Sequence, residues 1–151
     1  MNTVRMLLQD QVTADLDGIN GLDPYTTNVK KVYPDLVPPS MAAGKLPSIV
    51  MLWGDDAQIR MASSRVIHLE VDLTLYLYMR ATSSSDTYSK QIERYVGDAR
   101  YCMCASTLYT HSGTAIRTFY RGQDPMAEEP DPIVGAVVRF GILIRSTWDA
   151  P

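Results

Sequence analysis

The sequence predicts an α+β fold, a mostly antiparallel sheet of four to five strands with two helices packed on one face, in the order α-β-β-β-α-β-β, as one domain over residues 1–151. Three observations predict it. Every second residue from Ile67 to Met79 is apolar, and Val134, Ala136, Val138, Phe140, Ile142 and Ile144 repeat the pattern, which marks half-buried strands. Two other segments recur at helical spacing instead. A strand from Arg65 to Met79 would also span roughly 50 Å, more than the ~40 Å diameter of a compact globule of this length. The long strands are therefore expected to extend past the core. Because a bare strand edge invites aggregation, other subunits are expected to pack on the overhang.

The elements follow in order. Val4, Leu7, Leu8, Val12 and Leu16 form a helical stripe that Thr3 caps and Gly18 ends. Thr27 to Tyr33 reads as a short polar strand whose Lys30 and Lys31 suit a sheet edge. Pro34 to Pro47 holds Pro34, Pro38, Pro39, Gly44 and Pro47, so it is expected to be a projecting loop. Ile49 to Trp53 is a continuous apolar run, read as a strand covered on both faces, with a polar loop from Asp55 to Ser64 after it. The long strand then carries Val66, His68, Glu70, Asp72, Thr74, Tyr76, Tyr78 and Arg80 on its other face, polar at one end and aromatic at the other. A turn from Ala81 to Ser85 and an N-cap at Asp86 lead to the clearest helix, with Tyr88, Ile92, Tyr95, Val96, Ala99, Cys102 and Met103 on one stripe. Ile116 to Arg121 alternates as a strand. An acidic loop follows from Asp124 to Asp131, where Pro125, Pro130 and Pro132 forbid regular structure. Ile133 to Arg145 is the last long strand. Two helices cannot cover both faces of such a sheet, so the second face is expected to be left for partners.

Composition narrows the function. Apolar content of 46% and charged content of 21% are ordinary for a soluble globular protein, and a net charge of -3 offers no basic field for phosphates. No run of eighteen apolar residues occurs, as a membrane span would need. The N-terminus lacks a secretory pattern, which predicts synthesis in the cytoplasm. Cys102 and Cys104 fall two apart on a helix, about 200° from each other, so they read as inert thiols and neither as a disulfide nor as a metal pair.

Catalytic signatures are weak, and no cofactor, metal or catalytic residue is assigned. The glycines form no phosphate-binding loop. Asp55-Asp56 and the acidic run lack the spacing of a calcium loop. Ser112, His111 and Asp124 can be drawn as a triad, but no nucleophile elbow frames them. The more informative charges are Arg117, Arg121, Arg139 and Arg145, which lie on the less apolar face of the two C-terminal strands. If those strands pair, a basic stripe stands against the acidic loop of Asp124, Glu128, Glu129 and Asp131. Opposite charges on one subunit suit head-to-tail contact between copies.

An N-terminal helix, a proline-bearing loop before Leu46-Pro47-Ser48-Ile49-Val50-Met51, a long alternating strand, a helix with Tyr and Arg from Tyr88 to Met103, and a strand ending Phe140-Gly141-Ile142-Leu143-Ile144-Arg145-Ser146-Thr147 together resemble the tail terminator family of long-tailed bacteriophages. The likeness is one of element order and strand pattern over nearly the whole chain. It implies a structural virion protein that forms a homohexamer ring capping the tail tube, ends tube polymerisation and joins the head connector. It implies no active site. Its implied partners are copies of itself, the tail tube protein, the head-tail connector or stopper protein, and genomic dsDNA sliding through the lumen past acidic residues. The rivals are another head-tail joining or tail completion protein, a small cytoplasmic enzyme with His68 or Asp72 in a closed pocket, and a nucleic-acid-binding module, which the net charge disfavours.

Overall fold

The computed structural model describes residues 3–61, 65–82, 87–105, 109–126 and 133–147, with the backbone alone for 56–61 and 147. Helix α1 is Val4–Asp17. The Thr3 hydroxyl accepts the Met6 N–H at 3.1 Å, and at the far end the Gly18 N–H reaches back to the Ala14 and Asp15 carbonyls. Helix α3 is Tyr88–Cys104, capped by Thr87, whose hydroxyl accepts the Lys90 N–H. Between them lie β1 (Lys31–Tyr33), the single turn α2 (Pro39–Ala42), β2 (Ser48–Met61) and β3 (Val66–Arg80), and after them β4 (Arg117–Pro125) and β5 (Ile133–Thr147).

The five strands form one sheet in the order β1-β2-β3-β5-β4, with β1 parallel to β2 and every other pair antiparallel. Chain order and sheet order differ at one point, where β5 enters between β3 and β4. Leu73, Leu75 and Leu77 of β3 and Val138, Phe140 and Ile142 of β5 face both long helices, meeting Leu8, Val12 and Leu16 of α1 and Tyr95, Val96, Ala99 and Met103 of α3. Each such side chain removed from water stabilises the fold by about 1.5–3 kcal/mol. Two polar contacts fix how α3 sits. The buried Tyr95 hydroxyl donates to the Ser48 carbonyl at 2.6 Å, and the Asp98 carboxylate accepts the Thr26 and Thr27 N–H groups and the Thr26 hydroxyl.

The α+β class, the strand order along the chain and the placement of the two long helices on one face are as the periodicity predicts. The expected overhang is present too: β1 ends opposite Val50 and β4 begins opposite Leu143, while β2, β3 and β5 continue past both.

Several expectations are corrected. The strand read as ending at Trp53 runs on to Met61, so most of the supposed polar loop from Asp55 is β2. Irregular register between Trp53 and Asp56 and between Gln58 and Arg60 hides its alternation. β1 is shorter than Thr27–Tyr33, and Lys30 joins only through its N–H to the Pro47 carbonyl. Pro34 to Pro47 does not project: it folds through α2 onto the sheet face opposite the long helices, where Val37, Ala42 and Leu46 pack with Val50, Tyr76 and Tyr78. The Ser48 hydroxyl donates to the Ala42 carbonyl at 2.8 Å and pins that cover. Among the described residues the second face is thus roofed at its aromatic end and left open at its polar end. β4 extends to Pro125, so Asp124 belongs to a strand rather than to an acidic loop. Asp86, the expected cap, lies outside the described residues, and Thr87 caps α3.

Candidate functional site

The open half of the second face is built by β3, β5 and β4 from residues that alternate with the core. Glu70, Asp72 and Thr74 of β3 stand opposite Leu143, Gly141 and Arg139 of β5, which in turn stand opposite Arg117, Phe119 and Gly122 of β4. The pairing of the two C-terminal strands therefore places Arg117, Arg139 and Arg145 on one face, as the sequence predicts. Arg121 occupies the irregularity between Tyr120 and Gly122 and reaches the same face, where it pairs with Glu70.

That pair crosses β5 at Gly141. A Cβ at this position would meet the Glu70 carboxylate and would lie 2.9 Å from the Arg121 Nε, so the absent side chain is what lets the guanidinium span the sheet. Phe119 supports it from beside, with the Arg121 and Arg117 guanidinium carbons 5.4 and 5.2 Å from its ring centre. Such stacks are worth about 0.5–1 kcal/mol each where exposed. Arg139 is also engaged, donating to Asp124 at 2.7 Å. Both members of that pair are well exposed, so it contributes at most about 1 kcal/mol.

The expected basic stripe thus exists, but two of its arginines are neutralised within the chain, and Asp124 serves as partner to Arg139 rather than as an opposing acidic surface. Glu128, Glu129 and Asp131 lie outside the described residues. Sequence reasoning missed Glu70 and Phe119. The one available signal was Gly141, a glycine in a strongly alternating strand, which marks a close approach by something else.

The drawn triad is not assembled. His111 is buried, and its Nδ1 lies 2.8 Å from the Asp15 carboxylate of α1, while Asp124 is engaged by Arg139. His111, Ser112 and Gly113 all have positive φ, a tight left-handed turn that the His111–Asp15 contact ties to the helix. His68 and Asp72 lie on the open face, in register with Arg145 and Gly141. The cysteines are thiols at neutral pH: burial pushes Cys102 up to about 12 and Cys104 up to about 11. Among the described residues no group of three or more His, Cys, Asp or Glu side chains is placed to hold a metal ion, and no helix is long and apolar enough to cross a membrane.

The arrangement presents both signs of charge on one face, with two guanidinium groups beside the Phe119 ring and the Glu70 and Asp124 carboxylates paired to Arg121 and Arg139. No protein-family model matches this chain, and no curated protein matches it in sequence.

Proposed function

We propose that this chain is a structural assembly protein that forms a ring, in the role of a tail terminator of a long-tailed bacteriophage. A homohexamer would cap the tail tube, end its polymerisation and offer its other side to the head connector or stopper, with genomic dsDNA passing through the lumen unbound. The observation that carries this reading is the sheet itself, whose central strands outrun both edge strands and whose second face, among the described residues, is sheltered by the chain at one end only. The order of elements, which resembles that of the tail terminator family, supports reading the ring as a virion component. A different head-tail joining or completion role draws on the same surface.

The test is to mix the purified protein with tail tubes assembled from the tube subunit of the same genome and to image them. Rings seated at tube ends, with elongation stopped, are expected. Tubes that elongate unchanged, with bare ends, would sink the terminator role. The arginines are tested alongside: an Arg139→Glu, Arg145→Glu double variant should keep its circular dichroism and melting profile yet remain a monomer by light scattering. If it still has ring mass, those arginines lie outside the contact.

A further inference from the structure

We propose that the acidic, proline-bearing segment from Glu128 to Pro132 of one copy seats in the groove beside the first half of β4 of a second copy. The inference deepens the ring reading and rests on it. The groove, about 860 Å³ in volume, lies where β4 begins and is lined by Cys104, Tyr109, Ile116, Arg117, Phe119 and Tyr120 among others. Tyr109, Ile116 and Tyr120 are 36%, 39% and 37% exposed, so large apolar side chains of one groove meet water in the lone chain. Thr118 fixes one wall, its hydroxyl donating to the Tyr109 carbonyl at 2.9 Å.

The charges at this groove lack internal partners. Arg121 and Arg139 are neutralised by Glu70 and Asp124, but among the described residues no carboxylate pairs with Arg117 on the groove wall or with Arg100, whose guanidinium carbon stands 4.2 Å from the Tyr120 ring centre. Aromatic rings flanked by guanidinium groups suit a segment that brings carboxylates and extended backbone together. Glu128-Glu129-Pro130-Asp131-Pro132 is such a sequence. Three of its residues carry carboxylates, and the prolines after Glu129 and Asp131 bias both toward extended backbone. Extended proline-bearing segments dock in aromatic-lined grooves at low entropic cost.

Geometry makes the contact intermolecular. Met126 and Ile133 bracket the segment, and the Met126 N–H donates to the Gly135 carbonyl, which ties the end of β4 to the start of β5. The six residues 127–132, anchored at both ends, reach at most about 12 Å from their anchors. Arg117 stands nine residues before Met126 along β4, roughly 30 Å of strand away, so the segment cannot fold back to its own Arg117. A neighbouring copy has no such constraint, and every copy brings the matching segment. Segment and groove sit at opposite ends of β4, so each subunit offers one and receives one, a head-to-tail contact of the kind that closes rings.

Two charge reversals test the contact, Arg117→Glu in the groove and the double Glu128→Lys, Glu129→Lys in the segment, each checked for an unchanged thermal melt. In sedimentation velocity each alone is expected to lose self-association by at least tenfold. An equimolar mixture is expected to recover it, because each reversed groove then finds a reversed segment. A synthetic peptide of residues 126–133 needs no folded variant: it is expected to block wild-type assembly, with its Glu128→Lys, Glu129→Lys form at least tenfold weaker. If the wild type assembles and the variants keep its mass, the mixture fails to recover, or the two peptides act alike, this contact is wrong and the ring reading stands. If the wild type assembles neither alone nor on tubes, both fall.

Discussion

Single residues here divide into those whose role is visible from near neighbours in the chain and those whose role depends on distant ones. Thr3 and Gly18 were legible because capping is decided within one turn of helix. Asp98 and Glu70 were not, since the partners of Asp98 lie in the segment at Thr26 and the partner of Glu70 is on another strand. Cys102 and Cys104 were legible as inert, and their burial gives a measurable consequence. The folded state holds both thiol protons to about pH 12 and 11, whereas in the unfolded chain they leave near the ordinary value of 9. A raised acid favours the folded state fully below pH 9, and that contribution is lost as pH climbs through the folded values. Unfolding free energy from urea titrations is therefore expected to decline between pH 8 and 10, with a shallower decline in a Cys102→Ala, Cys104→Ala double variant. Equal slopes would mean the thiols are hydrated in the folded protein. Tyr25 and Tyr95, both raised mainly by burial, add to the loss only above pH 10.

For whole elements, periodicity worked where an element keeps one repeat and failed where it changes repeat. β3 and β5 alternate without a break, and both were read to within about a residue or two. β2 was cut short because two irregularities shift its inward and outward residues, so that a strand looked like a polar loop. The cover at Pro34 to Pro47 was misread for another reason: prolines predict irregular backbone, but not what that backbone packs against. Glycines show how much an element's surroundings decide. Gly97 lies in α3 with nothing within 4 Å of a new Cβ, so Gly97→Ala should stabilise the protein by about 0.5–1 kcal/mol through helix propensity. At Gly135 the same methyl would stand 2.8 Å from the Leu77 carbonyl, which is backbone and cannot swing aside. Gly135→Ala should destabilise by about 1–3 kcal/mol as β5 is pushed off β3. Denaturant midpoints moving the same way for both would contradict this account of the β3–β5 contact.

On the scale of the whole molecule, the fold class and the surplus of sheet over cover were legible, because strand length and the number of helices set them. The candidate surface was legible in part. The arginines fall on one face as expected, but their internal partners depend on sheet order, which no local pattern encodes. That order has a further result. β5 comes last of the described strands along the chain, yet it lies between β3 and β4, and among the described residues β4 has no other strand to pair with. A chain cut after residue 132 should therefore show no cooperative melt, rather than a slightly weakened one; a sharp calorimetric transition in that truncated chain would refute this. For the intact protein, joining β3 to β5 means closing a long loop that contains α3 before the ladder gives anything back. Nonlocal pairing of this kind slows folding to milliseconds or longer. In that interval one side of β3 faces solvent, so refolding yield should be governed by dilution and temperature more than by final stability.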